Sequence, residues 1–445
     1  MIGHLVAQPF RAARAARDTG RPKGLRYAVG VVFIAANAAA QTPLTLKDAE
    51  QRAVAAHPVI RAGQELALAA GENVREARSA YFPTAFGSFT AAGAMDGTRI
   101  AAGSLNNPTI LDRFAGGLSV SQLITDFGRT SQLVASASLN ADSRSKDVDA
   151  RRADVLLQVD RAYYNALRAQ AVLKVAQQTV DARSLVADQV TALAQSNLKS
   201  GLDVSFARVN LGEAQLLLVQ AQNDVDASFA ALAAAMGQPT GMTYQLSDDE
   251  VPPPPAEDRD AIVTRALRER PDVASQRLAA QSAETFATAE RNLWMPSLSF
   301  VGAAGVSPYH QTGLNDRYSA AGITVTIPLS NGSLFSARRA DAGFRAQAQD
   351  LATRDLENRV ARDVTMAWLD ARTGYRRLDL TNQLLAQASD ALELAQARYN
   401  LGLSSIVELS QAQLAKTAAE IGQASARYDY QARIAALRYQ TGKLK

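Results

Sequence analysis

The chain has 445 residues with 47 Lys or Arg against 43 Asp or Glu, a net charge of +4, no cysteine and three histidines. That length can bury a sizeable core in two or three domains. The lack of cysteine excludes a disulfide framework, thiolate-bound metals and cysteine nucleophiles, and three histidines leave little for a His-rich metal site. No cofactor is expected.

The positive balance invites a nucleic-acid reading until the charges are located. Residues 1–40 hold Arg11, Arg14, Arg17, Arg21, Lys23 and Arg26 against Asp18 alone, and the rest of the chain has 41 basic and 42 acidic residues. A short apolar run, Ala28 to Ala36, follows the basic stretch and leads to Ala38-Ala39-Ala40-Gln41. A positive segment, a short apolar core and small residues before a cut describe a secretory signal peptide over residues 1–40, cleaved between Ala40 and Gln41. No Arg-Arg pair marks the twin-arginine route, and no cysteine follows the cut to carry a lipid. No later apolar run approaches the ~18 residues of a transmembrane helix. The mature chain keeps no basic cluster, so nucleic acid is not an expected partner.

Proline placement draws the architecture. All fifteen prolines lie at or before Pro328, and none falls in residues 109–238 or 329–445. Proline costs about 3 kcal/mol inside a helix, so both stretches predict very long helices. Their apolar periodicity agrees, through Val155, Val159, Ala162, Ala166, Leu173, Ala176 and Val180 in one and Val360, Val364, Ala367, Ala371, Leu378 and Leu385 in the other. One unbroken helix over 129–198 would be on the order of 100 Å long; a break near Ser143–Lys146 is the alternative. Asn197-Leu198-Lys199-Ser200-Gly201 and Arg398-Tyr399-Asn400-Leu401-Gly402 read as hairpin tips, with Gly201 and Gly402 as left-handed caps. Asp203 or Ser205 would restart the first helix, and Ser404 or Ser405 the second.

The chain also reads as a duplication. His57-Pro58 matches Arg270-Pro271, Tyr81-Phe82-Pro83 matches Trp294-Met295-Pro296, Val159–Ala166 matches Val364–Ala371, and Leu232–Gly237 matches Leu437–Gly442. The division is a first repeat over 41–250, a Pro-rich linker over 251–257 and a second repeat over 258–445. Each repeat carries two strand-like segments. Ala85, Gly87, Phe89 and Ala91 alternate with Phe86, Ser88 and Thr90, and Phe114, Gly116, Leu118 and Val120 alternate with Ser119 and Ser121. Leu298, Phe300, Gly302 and Ala304 follow the same rule, as do Ile323, Val325 and Ile327. An apolar face opposite small polar residues suits a strand between lipid and a wet lumen, and equally a soluble hairpin. Four strands cannot close a barrel and an open edge cannot exist in lipid, so a membrane reading requires several chains: eight strands from a dimer, twelve from a trimer. Loops Asp96–Asp112 and Ser307–Asp316 would face outside. The competing reading is a soluble periplasmic coiled-coil or adaptor-type protein.

The order and duplication of these elements, with Asp126-Phe127-Gly128 after the second strand and the two tip sequences, resemble the TolC-like outer-membrane efflux family across residues 44–442. The resemblance implies long α-helical hairpins forming a periplasmic α-barrel, with four β-strands per chain in a shared trimeric 12-stranded outer-membrane β-barrel. It implies a non-lipidated homotrimer in outer-membrane lipid, serving efflux or type I secretion with a periplasmic adaptor protein and an inner-membrane pump or ABC exporter. It also implies a gate at the tip, from Gly201, Leu202, Asp203 and Arg208 on one hairpin and Tyr399, Gly402, Leu403, Ser404, Glu408 and Gln411 on the other. Glu408 stands where the family sets an acidic ring, and Gln411 replaces its second acid. Tyr399 matches a locking tyrosine, while Ser404 and Ala207 occupy the places of its basic and acidic partners. Asp203 and Arg208 are the candidate substitutes. No catalytic motif is found: phosphate loop, H-E-x-x-H and G-x-S-x-G are all missing, His57 precedes a proline, and His310 falls in an expected loop. The chain reads as a passive conduit, not an enzyme.

Overall fold

The structure is a computed structural model, describing residues 43–93, 95, 113–241, 244–310 and 315–444. The signal segment with Ala40 and Gln41, and the loop 96–112, lie outside the described residues. From Pro43 to Lys445 the chain forms one compact unit.

Each half runs through the same elements. The first has α1 (Leu46–Ala56), α2 (Pro58–Ser79), β1 (Thr84–Ala92), β2 (Arg113–Thr125), α3 (Arg129–Gln195) and α4 (Gly201–Ala235). The second has α5 (Arg259–Glu269), α6 (Pro271–Arg291), β3 (Ser297–His310), β4 (Arg317–Thr326), α7 (Leu334–Asn400) and α8 (Ile406–Gln440). Both long helices have 67 residues, both return helices 35 and both leading helices 11. At 1.5 Å per residue, α3 and α7 each span about 100 Å.

α3 is unbroken through Ser143–Lys146. The polar residues there bind a neighbouring helix. Ser143 Oγ donates to the Ser275 carbonyl at 2.9 Å and Ser275 Oγ to the Ser143 carbonyl at 2.9 Å. Two turns away, Ser136 and Ser282 make the same reciprocal pair at 2.8 Å. Such small side chains let α3 and α6 approach closely while each hydroxyl is satisfied.

The duplication extends to the packing. Ala49, Ala53 and Ile60 pack on Val155 and Val159, and Ile262, Ala266 and Val273 pack on Val360 and Val364. Gly237 and Gly442, with φ of +69° and +71°, close the two return helices. Each rests on the X-Pro corner of its own repeat: an added Cβ would lie 3.0 Å from His57 Cα in one case and 3.1 Å from the Glu269 carbonyl in the other. Hence both X-Pro pairs and both terminal glycines recur in the sequence. His57 serves as a cap, its Nδ1 accepting from Val59 N at 3.3 Å. Between the halves, the linker is tied down. Tyr430 Oη donates to the Pro253 carbonyl at 2.9 Å and Trp368 Nε1 to the Glu257 carbonyl at 3.1 Å.

The four strands form one antiparallel sheet in the order β1-β2-β3-β4. Its register sets Gly87, Leu118 and Ala304 in one row, Ala85, Val120 and Gly302 in the next, and Phe300 beside Ile323. All four apolar alternations therefore fall on one face, with Ser88, Ser119, Ser121, Ser299, Thr324 and Thr326 on the other. Phe89 lies over Gly116, and Tyr318 over Gly117 and Gly305, so these glycines leave room for rings. β3 runs further than expected: Ser307–His310 belong to the strand, and His310 pairs with Arg113 instead of sitting in a loop. Below the sheet, Glu290 is 1% exposed. Arg338 reaches it at 2.7 Å and Arg129 at 3.6 Å, binding the end of α6 to the starts of α3 and α7. Among the described residues no helix is long and apolar enough to cross a membrane.

Candidate gate at the helical tip

The tip is where α3 turns into α4 and α7 into α8. Both long helices end in the same cap. Leu198 N donates to the Leu193 carbonyl at 2.9 Å and Asn197 N to Ala194 at 3.0 Å; Leu403 N donates to Arg398 at 2.9 Å and Gly402 N to Tyr399 at 3.0 Å. These are Schellman caps, which need a left-handed residue. Gly402 supplies it at φ +71°, and in the first hairpin Asn197 does so at φ +58°. Gly201 is therefore not a cap but the first residue of α4. The counterpart of Gly402 is Asn197, because asparagine is the other residue that enters this region cheaply. Residues 195–237 thus align with 400–442 at a constant offset, pairing Lys199 with Ser404, Ser200 with Ser405 and Asp203 with Glu408.

The restart residues shift accordingly. Ser200 caps α4 in a reciprocal box: Asp203 N donates to Ser200 Oγ at 3.2 Å, while Ser200 N and Oγ donate to Asp203 Oδ2 at 3.0 and 2.8 Å. The backbone bond from Ser200, then its hydroxyl, holds the Asp203 carboxyl below the usual carboxylate range. In the second hairpin Ser405 is the cap, accepting from Glu408 N at 3.3 Å. Ser205 and Ser404 do not cap.

Tyr399, Ile406 and Leu409 of one hairpin pack with Ala187, Val190 and Ala207 of the other. Ala207 thus meets Tyr399 as an apolar contact. Tyr399 is 9% exposed, and its hydroxyl has no hydrogen-bond partner among the described residues. Burial, then the charge of Asp203, pushes that hydroxyl's pKa up. Lys199 Nζ sits 4.3 Å from the centre of the Tyr399 ring, a cation–π contact between the hairpins. The Ser404 hydroxyl is also buried without a partner. Of the two candidate substitutes, Asp203 is engaged in its own cap and Arg208 is exposed without an ion pair among the described residues. The charged side chain over the Tyr399 ring is that of Lys199.

The remaining predicted residues face outward. Leu202 and Leu403 are exposed, as are Gly201 and Gln411, while Glu408 is half-buried. Glu408 is not a free carboxylate: Arg398 Nε lies 3.5 Å away, with both side chains about half in solvent. Further up, Arg183 donates from Nη1 to the Asn210 carbonyl at 2.8 Å, and Asn210 Nδ2 donates to Ser410 Oγ at 2.7 Å across the hairpins. Sequence reasoning missed Lys199, Arg398, Arg183 and Asn210. Aligning the tips on their left-handed residues instead of on two glycines would have set Lys199 opposite Ser404.

Long paired helices, an open four-stranded sheet and a narrow packed tip define an outer-membrane channel-tunnel subunit. A family model described as outer membrane efflux protein matches residues 49–238 and 262–443, so the chain belongs to that family, one of outer-membrane channels rather than enzymes. Among its relatives, Protein CyaE of Bordetella pertussis is 25% identical over 384 residues, covering 83% of this chain and 78% of that protein. Outer membrane protein TolC of Escherichia coli is 21% identical over 393 residues, covering 85% and 78%. Among solved structures, that of CusC superposes with a TM-score of 0.78 at 18% identity, over 89% of this chain and 92% of that one. The chain is an outer-membrane protein whose helices extend into the periplasm.

Proposed function

We propose that three copies of this chain assemble into the outer-membrane exit duct of an efflux or type I secretion system, conducting cargo passively through a tip that opens and closes. One observation carries the assembly: among the described residues the sheet ends in two unpaired edge strands, β1 and β4, and both are exposed almost throughout. Lipid tolerates no open edge, so the sheet must close with copies of itself. Two copies would make eight strands, a barrel whose interior its own side chains fill; three make twelve, which leaves a lumen.

The chain has no phosphate-binding loop, so the energy for transport comes from elsewhere. A periplasmic adaptor and an inner-membrane pump or ABC exporter are the partners this reading requires, the adaptor biasing a two-state tip toward its open form. In a trimer the tip would present three copies of Glu408, each beside its own Arg398, at the narrowest point of the duct. Carboxylates around a constriction favour cations over anions.

Native mass spectrometry of detergent-extracted protein tests the assembly. The expected species has three times the mass of the processed chain and resists extraction from membranes by alkaline carbonate. A monomer, a dimer, or release by carbonate would refute the shared barrel and favour a soluble periplasmic protein.

A further inference from the structure

The two repeats solve one packing problem differently. Where α5 meets α7, the second repeat offers Val263 and Thr365. The corresponding positions of the first repeat, on α1 and α3, are Glu50 and Asp160, although the surrounding apolar residues are conserved between the halves as Ala49, Ala53, Ile60, Val155 and Val159. Asp160 is 2% exposed. Glu50 on α1 lies close enough for its carboxyl to act on that of Asp160, and Asp160 Oδ1 has no hydrogen-bond partner among the described residues.

The groups facing this carboxyl are few. Glu50 comes from α1, Arg438 from α8 and Tyr164 from α3 itself. From α4 and the residue that caps it the surrounding cluster receives Leu232 and Met236, and from α2 it receives Ile60. Among the described residues Arg438 is the cation that acts on Asp160, and its attraction is the weakest of the influences there. Two carboxylates cannot both stay ionised against each other in a nearly dry site. Burial first, then repulsion from Glu50, pushes Asp160 up to about 8.

We propose that Asp160 keeps its proton at neutral pH and donates it to Glu50, making the pair a proton-operated clasp between α1 and α3 that the second repeat lacks. No bond is made beyond this hydrogen bond, and the proton leaves to solvent when the clasp opens. Asp160 is protonated in the folded chain and ionised in the unfolded one at intermediate pH. Its contribution is therefore complete below the ordinary carboxylate range and is lost as the pH rises through about 8. The loss is local to the start of the first repeat. Leu44 bridges Leu246 just ahead of α1, and Tyr163, one turn from Asp160, bonds the carbonyls of Leu44 at 2.8 Å and Ser247 at 2.6 Å. Opening the clasp loosens α1 and with it the Leu44 bridge to Leu246. An alkaline periplasm thus loosens α1 at the start of the first repeat and leaves α5 of the second in place.

Hydrogen exchange on the full-length, detergent-extracted protein tests the clasp, with α5 as the internal reference for α1. Exchange is followed at pH 6.5 and 9.5, each protection factor being corrected for the intrinsic rate at that pH. In the wild type the protection of α1 relative to α5 should fall at least about tenfold, one pH unit of linkage being a factor of ten. The double variant Glu50→Val with Asp160→Thr, which copies the second repeat, should show no fall. Asp160→Asn, a neutral donor of the same shape, should also hold α1 at both pH values and covers the case in which the double variant does not fold. A wild-type ratio that does not change with pH, or an equal fall in Asp160→Asn, would overturn the proposal.

Discussion

Comparing the two hairpin tips separates what local chemistry does from what tertiary contact does. The backbones are equivalent: each long helix ends in a Schellman cap, and each return helix starts on a capping serine three residues later. The side chains on that shared frame differ. The first tip has Asn197, Lys199 and a reciprocal box with Asp203, whereas the second has Gly402, Ser404 and a Glu408 turned toward Arg398. Tyr399 has only Ala194 as its counterpart. The contact that joins the hairpins, Lys199 over Tyr399, draws one residue from each copy at places where the copies differ. Duplication built the frame, and divergence between the copies built the contact that joins the hairpins.

The comparison breaks most visibly at Tyr399. Tyr399→Ala gives the second tip the residue of the first and empties a buried site shared by four helices, at a cost of about 3 kcal/mol. Hydrogen exchange should speed up in residues 186–211 and 392–409 together. A change confined to α7 and α8 would mean that the hairpins are not coupled there.

Lys199→Ser makes the first tip match the second by removing the cation from above the ring. The expected loss is about 0.5–1 kcal/mol, measured as faster exchange at 197–204 and 399–406 with the two helix caps unaffected. If Tyr399→Ala and Lys199→Ser add without coupling, the contact contributes nothing between the hairpins.

Glu408→Gln should affect stability least, because a half-exposed ion pair with Arg398 contributes about 0–1 kcal/mol. Its effect should appear in conduction instead. Single channels in planar bilayers are expected to lose cation preference, and an unchanged reversal potential in a salt gradient would remove Glu408 from the constriction.

Much of this architecture is legible in the residues. The absence of proline from 109–238 and 329–445 marks the two long hairpins, and alternation in four short segments puts most of their apolar residues on one face of the sheet, with Phe86 and Val301 among the exceptions. The tips were harder to read. Glycine is the conspicuous left-handed residue, so Gly201 draws the eye although Asn197 takes that conformation. The error displaces the alignment by four residues and hides Lys199. Arg208 and Asp203 could be nominated from charge alone, but whether a charge is already engaged depends on the cap it makes, as Asp203 shows.

The sequence by itself determined helix length, strand alternation and the doubled plan, because these follow from backbone preferences that act over a few residues. Tertiary structure alone decided which unlike residues of the two copies meet. Lys199 reaches Tyr399, and Asp160 faces Glu50, across 200 and 110 positions of chain. Such pairs are set by how helices pack, and neither periodicity nor composition records which side chains that packing places in a dry contact.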